Sequence, residues 1–382
     1  MWSQSVPCGP LLDGGGGLVA PTPWFAMATT PLTQAEVVFV SCLGLGWGGP
    51  KFRCDQAAAL LTAAGRRAAC LELSPNQCAA SSKDPWRVLA TLRGAHIIFL
   101  KVLPHFWHMM TLRESACTLT LDQMDDWDYK HLCHPHDRRL AMLDAMISDN
   151  AIARTRHAAE CRHGSLHKNE TQIAMTIEHH HTVPCRVSDG SAPLRRALLL
   201  QEHSSDNFCS VLQHAMPTGV VFDCIVRPVA QRGPFLAHAL GMNARAYERA
   251  ASRPGGIGVL FAALFARYDC LIVWRVSMHT VQRLTNALAT GIPVVARRCA
   301  TFEEAFGSHG ILMAEDATRL TTHIGELARS ERYRRRISDA GVVAASRFSP
   351  ANITRAYMQL LSTASATSQQ AGPRRATCRF DP

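Results

Sequence analysis

Ser277, His279 and Thr280 fall where a strand ends and a helix must begin, and Arg283 follows on the same helix. Open backbone amides and the positive end of a helix dipole make such a start a seat for an anion, and a guanidinium matches a phosphate with two parallel hydrogen bonds. Ser277 is a natural helix cap, and a surface ion pair is the plainer role for Arg283. A second anion seat is written in Gly44 to Gly49, GLGWGG, between a first strand and a first helix. Gly46, Gly48 and Gly49 let backbone approach a ligand with no Cβ in the way, and Trp47 and Arg53 flank the loop. The spacing is not that of the dinucleotide fingerprint, and a tight strand-to-helix turn accounts for the same glycines. A third group is His179, His180 and His181 at the end of an apolar run. Strand alternation puts His179 and His181 on one side, where an imidazole can take a proton or hold a phosphate.

Carboxylates gather at two further strand ends. Asp122, Asp125, Asp126 and Asp128 either orient a hydroxyl or cap a turn, and Glu303 and Glu304 open a helix whose dipole they complement. Metal chemistry is not expected. His179, His181 and Cys185 with Glu178, the set His131, Cys133, His134, His136, and the set His157, Cys161, His163, His167 supply ligand atoms without a recognised zinc spacing.

The elements that hold these groups alternate. Strands are expected at 37–41, 68–73, 96–101, 117–121, 143–147 and 173–177, with helices at 54–63 and 86–93 and helical candidates at 138–141 and 151–158. After a linker at 187–193, strands are expected at 197–200, 220–226 and 271–274, with helices at 234–240 and 258–266 and the rest of 227–255 unassigned. Arg283 to Ala296, RLTNALATGIPVVA, is the most telling stretch. Leu284, Ala287, Leu288 and Ala289 lie at helical spacing, Gly291 stops the helix, and Pro293 opens a β-branched run too short and apolar for an exposed strand. Strands separated by helices make parallel sheets that carry ligands at the carboxyl ends of their strands.

RLTNALATGIPVVA resembles the signature of the group 1 glycosyltransferases of the GT-B type. The resemblance continues through Glu303 and Glu304, a strand at 310–312, a helix at 316–327 and closing helices within 334–361, and upstream in RCDQAAAL, residues 53–60. It implies an α/β chain of two Rossmann-like domains facing each other across a cleft. The boundaries are 1–35, a disordered extension; 36–186, the acceptor domain; 187–361, the nucleotide-sugar donor domain; and 362–382, a disordered tail. It further implies a metal-independent transfer from a nucleotide-sugar, with no cofactor, to a glycan, lipid or protein acceptor. Donor contacts then fall to Ser277, His279, Thr280, Arg283, Asn286, Glu303 and Glu304, the acceptor or phosphate loop to Gly46, Trp47, Gly48, Gly49 and Arg53, and proton transfer to His179 and His181. One departure matters. The family usually carries two glutamates eight positions apart, and here Met278 and Asn286 stand in their places. An asparagine oxygen can accept from ribose hydroxyls, but without charge, and Met278 can do none of the carboxylate's work. A catalytically degenerate binding or regulatory protein is therefore the alternative, and a sugar-nucleotide epimerase a third reading.

Composition bounds the rest. A chain of 382 residues, 47% hydrophobic, can bury two cores. No apolar run approaches the ~18 residues of a membrane span, and the first residues lack the order of a signal peptide, so a cytoplasmic protein is expected. Met27 is a candidate start. The fourteen cysteines are scattered singly, and most are expected to be reduced, half-buried thiols. The formal charge of +10 admits nucleic acid as a partner. Its concentration at Arg332, Arg334, Arg335 and Arg336, with Arg374 and Arg375, reads instead as a solvated helix face and a basic tail.

Overall fold

The computed structural model describes residues 30–41, 48–73, 84–100, 103–115, 117–123, 139, 142–148, 170–173, 190–201, 216–217, 219–226, 235–251, 256–274, 278–307 and 310–370. The chain forms two compact units. One comprises Ala26–Thr176 with Phe348–Pro382, and the other is built on Ile177–Arg347.

The first unit holds a six-stranded parallel sheet of β1 (Val37–Ser41), β2 (Ala68–Glu72), β3 (His96–Leu100), β4 (Thr118–Gln123), β5 (Ala145–Ser148) and β6 (Glu170–Gln172), in the order β2-β1-β3-β4-β5-β6. Every residue of β1 and β3 is buried, which is why their sequences, VVFVS and HIIFL, run apolar without alternating. Among the described residues three helices follow strands: α1 (Gly48–Ala63), α2 (Asp84–Ala90) and α3 (Phe106–Glu114). Val38, Val40, Ile97, Phe99, Leu119 and Leu121 share a core with Trp86 and Leu89 of α2 and Met109 and Leu112 of α3. Phe39 points to the other face, edge-on to Tyr357 with ring centroids 5.8 Å apart.

Tyr357 belongs to the last helix of the chain, whose contacts with α1 and β4 place it in the first unit. The second domain is expected to end at 361 and a disordered tail to begin at 362, whereas this helix runs through Pro350–Gln370. A strand is found at Glu170–Gln172, ahead of the one expected at 173–177, of which 174–177 lie outside the described residues. Among the described residues it pairs with β5 alone, and an edge strand needs no continuous apolar run to signal it.

The second unit holds a five-stranded parallel sheet of β7 (Arg196–Gln201), β8 (Val221–Val226), β9 (Cys270–Val273), β10 (Val294–Arg297) and β11 (Leu312–Ala314), in the order β11-β10-β9-β7-β8. Its helices are α4 (Phe235–Leu240), α5 (Ala244–Ala251), α6 (Gly256–Phe265), α7 (Met278–Ala289), α8 (Ala300–Phe306), α9 (Ala317–Arg329) and α10 (Glu331–Ser346), and the helix of Tyr357 is then α11. Read outward from its first strand, this sheet repeats the arrangement of β2-β1-β3-β4-β5 in the first. In each sheet the chain changes winding direction beside the first strand, between β1 and β3 and between β7 and β9. Doubly wound sheets bind ligands in the crevice such a reversal opens.

Helix α7 packs against α6, α10 and β10, so Leu284, Ala287 and Leu288 are fully enclosed. Gly291 ends it at φ 80°, the left-handed conformation its sequence position anticipates. The hydroxyl of Ser338 on α10 donates to the Gly291 carbonyl and locks the turn before β10. Arg334 corrects the expectation of a solvated basic face on α10. It is 5% exposed and donates to the carbonyls of Leu327, Ala328 and Gly190, taking up backbone oxygens at the carboxyl end of α9. Arg332, Arg335 and Arg336 are exposed as expected.

Candidate functional site

In the second unit the candidate site lies where β9 hands over to α7 beside β7. Val273 closes β9, and the helix begins at Met278 with His279 and Thr280 in its first turn. Ser277, assigned the cap, lies outside the described residues. Arg283 is half-buried on α7. Asn286 is 0% exposed, within the packed body of the helix. A ribose would reach its side chain only by displacing what covers it.

The neighbouring strand tips carry two groups that the motif reading passed over. Ala296 of β10 lies level with Val273, so Arg297 comes beside Trp274. The guanidinium sits 5.7 Å from the indole centroid, within cation–π range. Among the described residues Arg297 has no carboxylate partner. Arg298, one position on, is bridged to Glu303 and to Glu315, each at 2.8 Å. Glu303 therefore balances a neighbouring cation, while Glu304 on the same helix is exposed. Two adjacent arginines at a strand end are legible in the sequence; which of them is bridged to carboxylates depends on the fold.

In the first unit Gly48 and Gly49 open α1 after β1, as the glycine loop anticipates, whereas Gly46 and Trp47 lie outside the described residues. Arg53, one turn into α1, is turned inward. Its Nε donates to Asp122 Oδ2 at 2.7 Å and its terminal nitrogen to the Ile173 carbonyl at 2.7 Å, and it is 2% exposed. The cation and the carboxylate that sequence reasoning treated separately are thus one buried pair joining α1 to the carboxyl ends of β4 and β6. Beside it the Cys54 thiol is pushed up by its hydrogen bond to Cys70 and by burial. His179, His181, Asp125, Asp126 and Asp128 lie outside the described residues, as do the three His/Cys sets weighed for metal.

Sequence reasoning also missed the run His105, Phe106, Trp107, His108, which follows β3 at the reversal of the first sheet. Its signal was plain: four ring-bearing residues directly after a proline and an apolar strand. His105 caps α3, its Nδ1 accepting from the Trp107 amide at 3.4 Å. His108 is buried and stacks on Trp86, with centroids 4.8 Å apart and planes 12° apart. Trp107 is 59% exposed.

No family model matches the chain, and no curated protein matches it by sequence. Solved structures do. A glycosyltransferase from Rickettsia africae superposes with a TM-score of 0.57 at 10% identity, over 87% of this chain and 99% of that one. Anabaena HepE in complex with UDP and glucose gives 0.55 at 12% identity, over 86% and 100%. A sucrose-phosphate synthase from Thermosynechococcus elongatus gives 0.52 at 14% identity, over 87% and 100%. Two parallel doubly wound sheets, matched along nearly the whole length of these proteins, give this chain the GT-B glycosyltransferase fold.

Proposed function

We propose that the protein transfers a sugar from a nucleotide-sugar donor, bound by the second unit, to an acceptor bound by the first. The observation that carries this reading is the reversal at β7 and β9, from which α7 leads away with Arg283 on its side and with Arg297, which has no carboxylate partner among the described residues, at the adjacent strand tip. Fixed positive potential there suits a diphosphate whose charge grows as it leaves, without calling on a metal. That HepE has been crystallised with UDP and with UDP-glucose supports a donor of this class. Ser277, His279 and Thr280 provide the amide end of the site, and His179 or His181 the proton transfer.

Two measurements test the reading together. Incubation with a panel of sugar nucleotides, without added acceptor, should release nucleoside diphosphate slowly from the matching donor. Replacing Arg283 with Ala should weaken nucleoside diphosphate binding about tenfold or more, the scale of a lost charge-assisted hydrogen bond. Unchanged affinity would remove Arg283 from the site.

The burial of Asn286 favours a second reading, a GT-B protein that binds a ligand and regulates without turnover. Its position usually holds a carboxylate, and here the side chain is neutral and closed off. This reading expects binding of a nucleoside diphosphate with no release from any sugar nucleotide.

A further inference from the structure

We propose that His105, Phe106 and Trp107 form a stacking platform for an uncharged sugar ring, and that this platform is the acceptor subsite of the first unit. The second half of the statement rests on the glycosyltransferase reading, and the first half does not.

The position is the starting point. The run leaves the carboxyl end of β3, one of the two strands flanking the reversal of the first sheet, where a doubly wound fold binds ligands. The platform is also held in place before any ligand arrives. Met109 and Leu112 anchor the inner face of α3 in the core, and His108 is clamped against Trp86, itself 1% exposed. Upstream, the Arg139 guanidinium donates to the Leu103 carbonyl at 3.2 Å and reaches that of Pro104 at 3.5 Å, fixing the segment that leads into the helix. A rigid first turn therefore holds an indole in water. Among the described large hydrophobic side chains that are exposed, Trp107 is the sole aromatic; the others are Val88, Val221 and Val343.

The chemistry of the cluster selects the ligand. Phe106 lies edge-on to Trp107, at 5.7 Å and 71°, and steadies its ring. The exposed indole face is electron-rich and attracts the weakly positive axial C–H bonds on the apolar face of a pyranose. With His105 Nδ1 accepting from the Trp107 amide, Nε2 is left as the donor that can meet a hydroxyl. The two described arginines tied to this segment are engaged elsewhere. Arg113 forms a two-pronged bridge to Asp144 at 2.7 and 2.8 Å, and Arg139 is held by carbonyls. An aromatic face with an imidazole donor beside it suits the face and hydroxyls of a saccharide ring.

The test uses the full chain and the variants Trp107→Ala and Trp107→Phe. Saturation-transfer NMR with methyl glycosides of neutral hexoses and disaccharides should show saturation reaching the ring C–H protons of at least one. Trp107→Ala should lose affinity about tenfold, the scale of one aromatic contact, and Trp107→Phe should recover most of it. Nucleoside diphosphate affinity, measured in parallel by calorimetry, should not change in either variant. The platform is overturned if no saccharide responds, if the response survives Trp107→Ala, or if wild type self-associates and Trp107→Ala makes it monomeric, which would assign the surface to a second copy. Saccharide binding without nucleotide binding would keep the platform and remove the transferase reading; the reverse would remove the platform alone.

Discussion

Arg53 Nε lies 2.7 Å from Asp122 Oδ2, with the two side chains 2% and 0% exposed. One guanidinium thus spans α1, the end of β4 and the Ile173 carbonyl just past β6. A charge so enclosed holds strand ends in place. Removing one partner leaves the other buried and uncompensated, which costs about 3–5 kcal/mol. Arg53→Ala should therefore lower the urea midpoint strongly while leaving nucleoside diphosphate affinity of the folded fraction unchanged. Lost affinity at unchanged stability would return Arg53 to a ligand-binding role.

His96 should make stability depend on pH. Its ring is 7% exposed and lies 2.6 Å from Thr118 Oγ1, and burial, reinforced by the Arg66 charge, lowers its pKa below the ordinary 6.5 against the opposing pull of Asp144 and Glu36. A depressed histidine pKa means the unfolded chain binds the proton more readily. Stability from this site is therefore complete above pH 6.5 and is lost as pH falls from there through the lower folded value. Urea titrations on either side of that value should show a smaller acid loss in His96→Gln than in wild type. Equal losses would deny His96 the role.

Cys117 and Cys270 should resist alkylation until the chain unfolds. Burial pushes Cys117 up to about 11 and Cys270 higher still, so at pH 8 about one Cys117 in a thousand is a thiolate. Iodoacetamide followed by peptide mass mapping should leave both unmodified in native protein and modify both in urea. Rapid native labelling of either would contradict its enclosure.

Burial decided which parts of the fold were legible. β1 matched its expected span because a central strand covered on both faces must be apolar throughout, and the α7 turn was readable because Gly291 has to supply a left-handed residue. The strand placed at 310–312 lies two residues on, at Leu312–Ala314; Gly310 is instead pressed close to α10, where an added Cβ would come 2.5 Å from that of Ala344. α5 went unassigned although Asn243 signals its start, the side chain accepting from the Ala246 amide at 2.8 Å. Its ARAYERAA is a short amphipathic stretch whose apolar residues are four alanines and one tyrosine, and the cap was the signal that could have placed it.

Among the site residues, the arginines divided in ways that residue type does not show. Arg53 and Arg334 satisfy buried oxygens, Arg298 is bridged to two glutamates, and Arg297 faces an indole. Sequence spacing places each on its element, but the oxygen that receives each guanidinium comes from elsewhere in the fold. For the same reason α11 could not be assigned to the first unit from its position in the chain.

Calorimetric titration of the full chain with uridine, guanosine and adenosine diphosphates tests the central claim most directly. Saturable one-to-one binding of at least one of them is expected, weakened about tenfold or more by Arg283→Ala. Failure of all three to bind folded protein would contradict a nucleotide-sugar site at the β7 and β9 reversal.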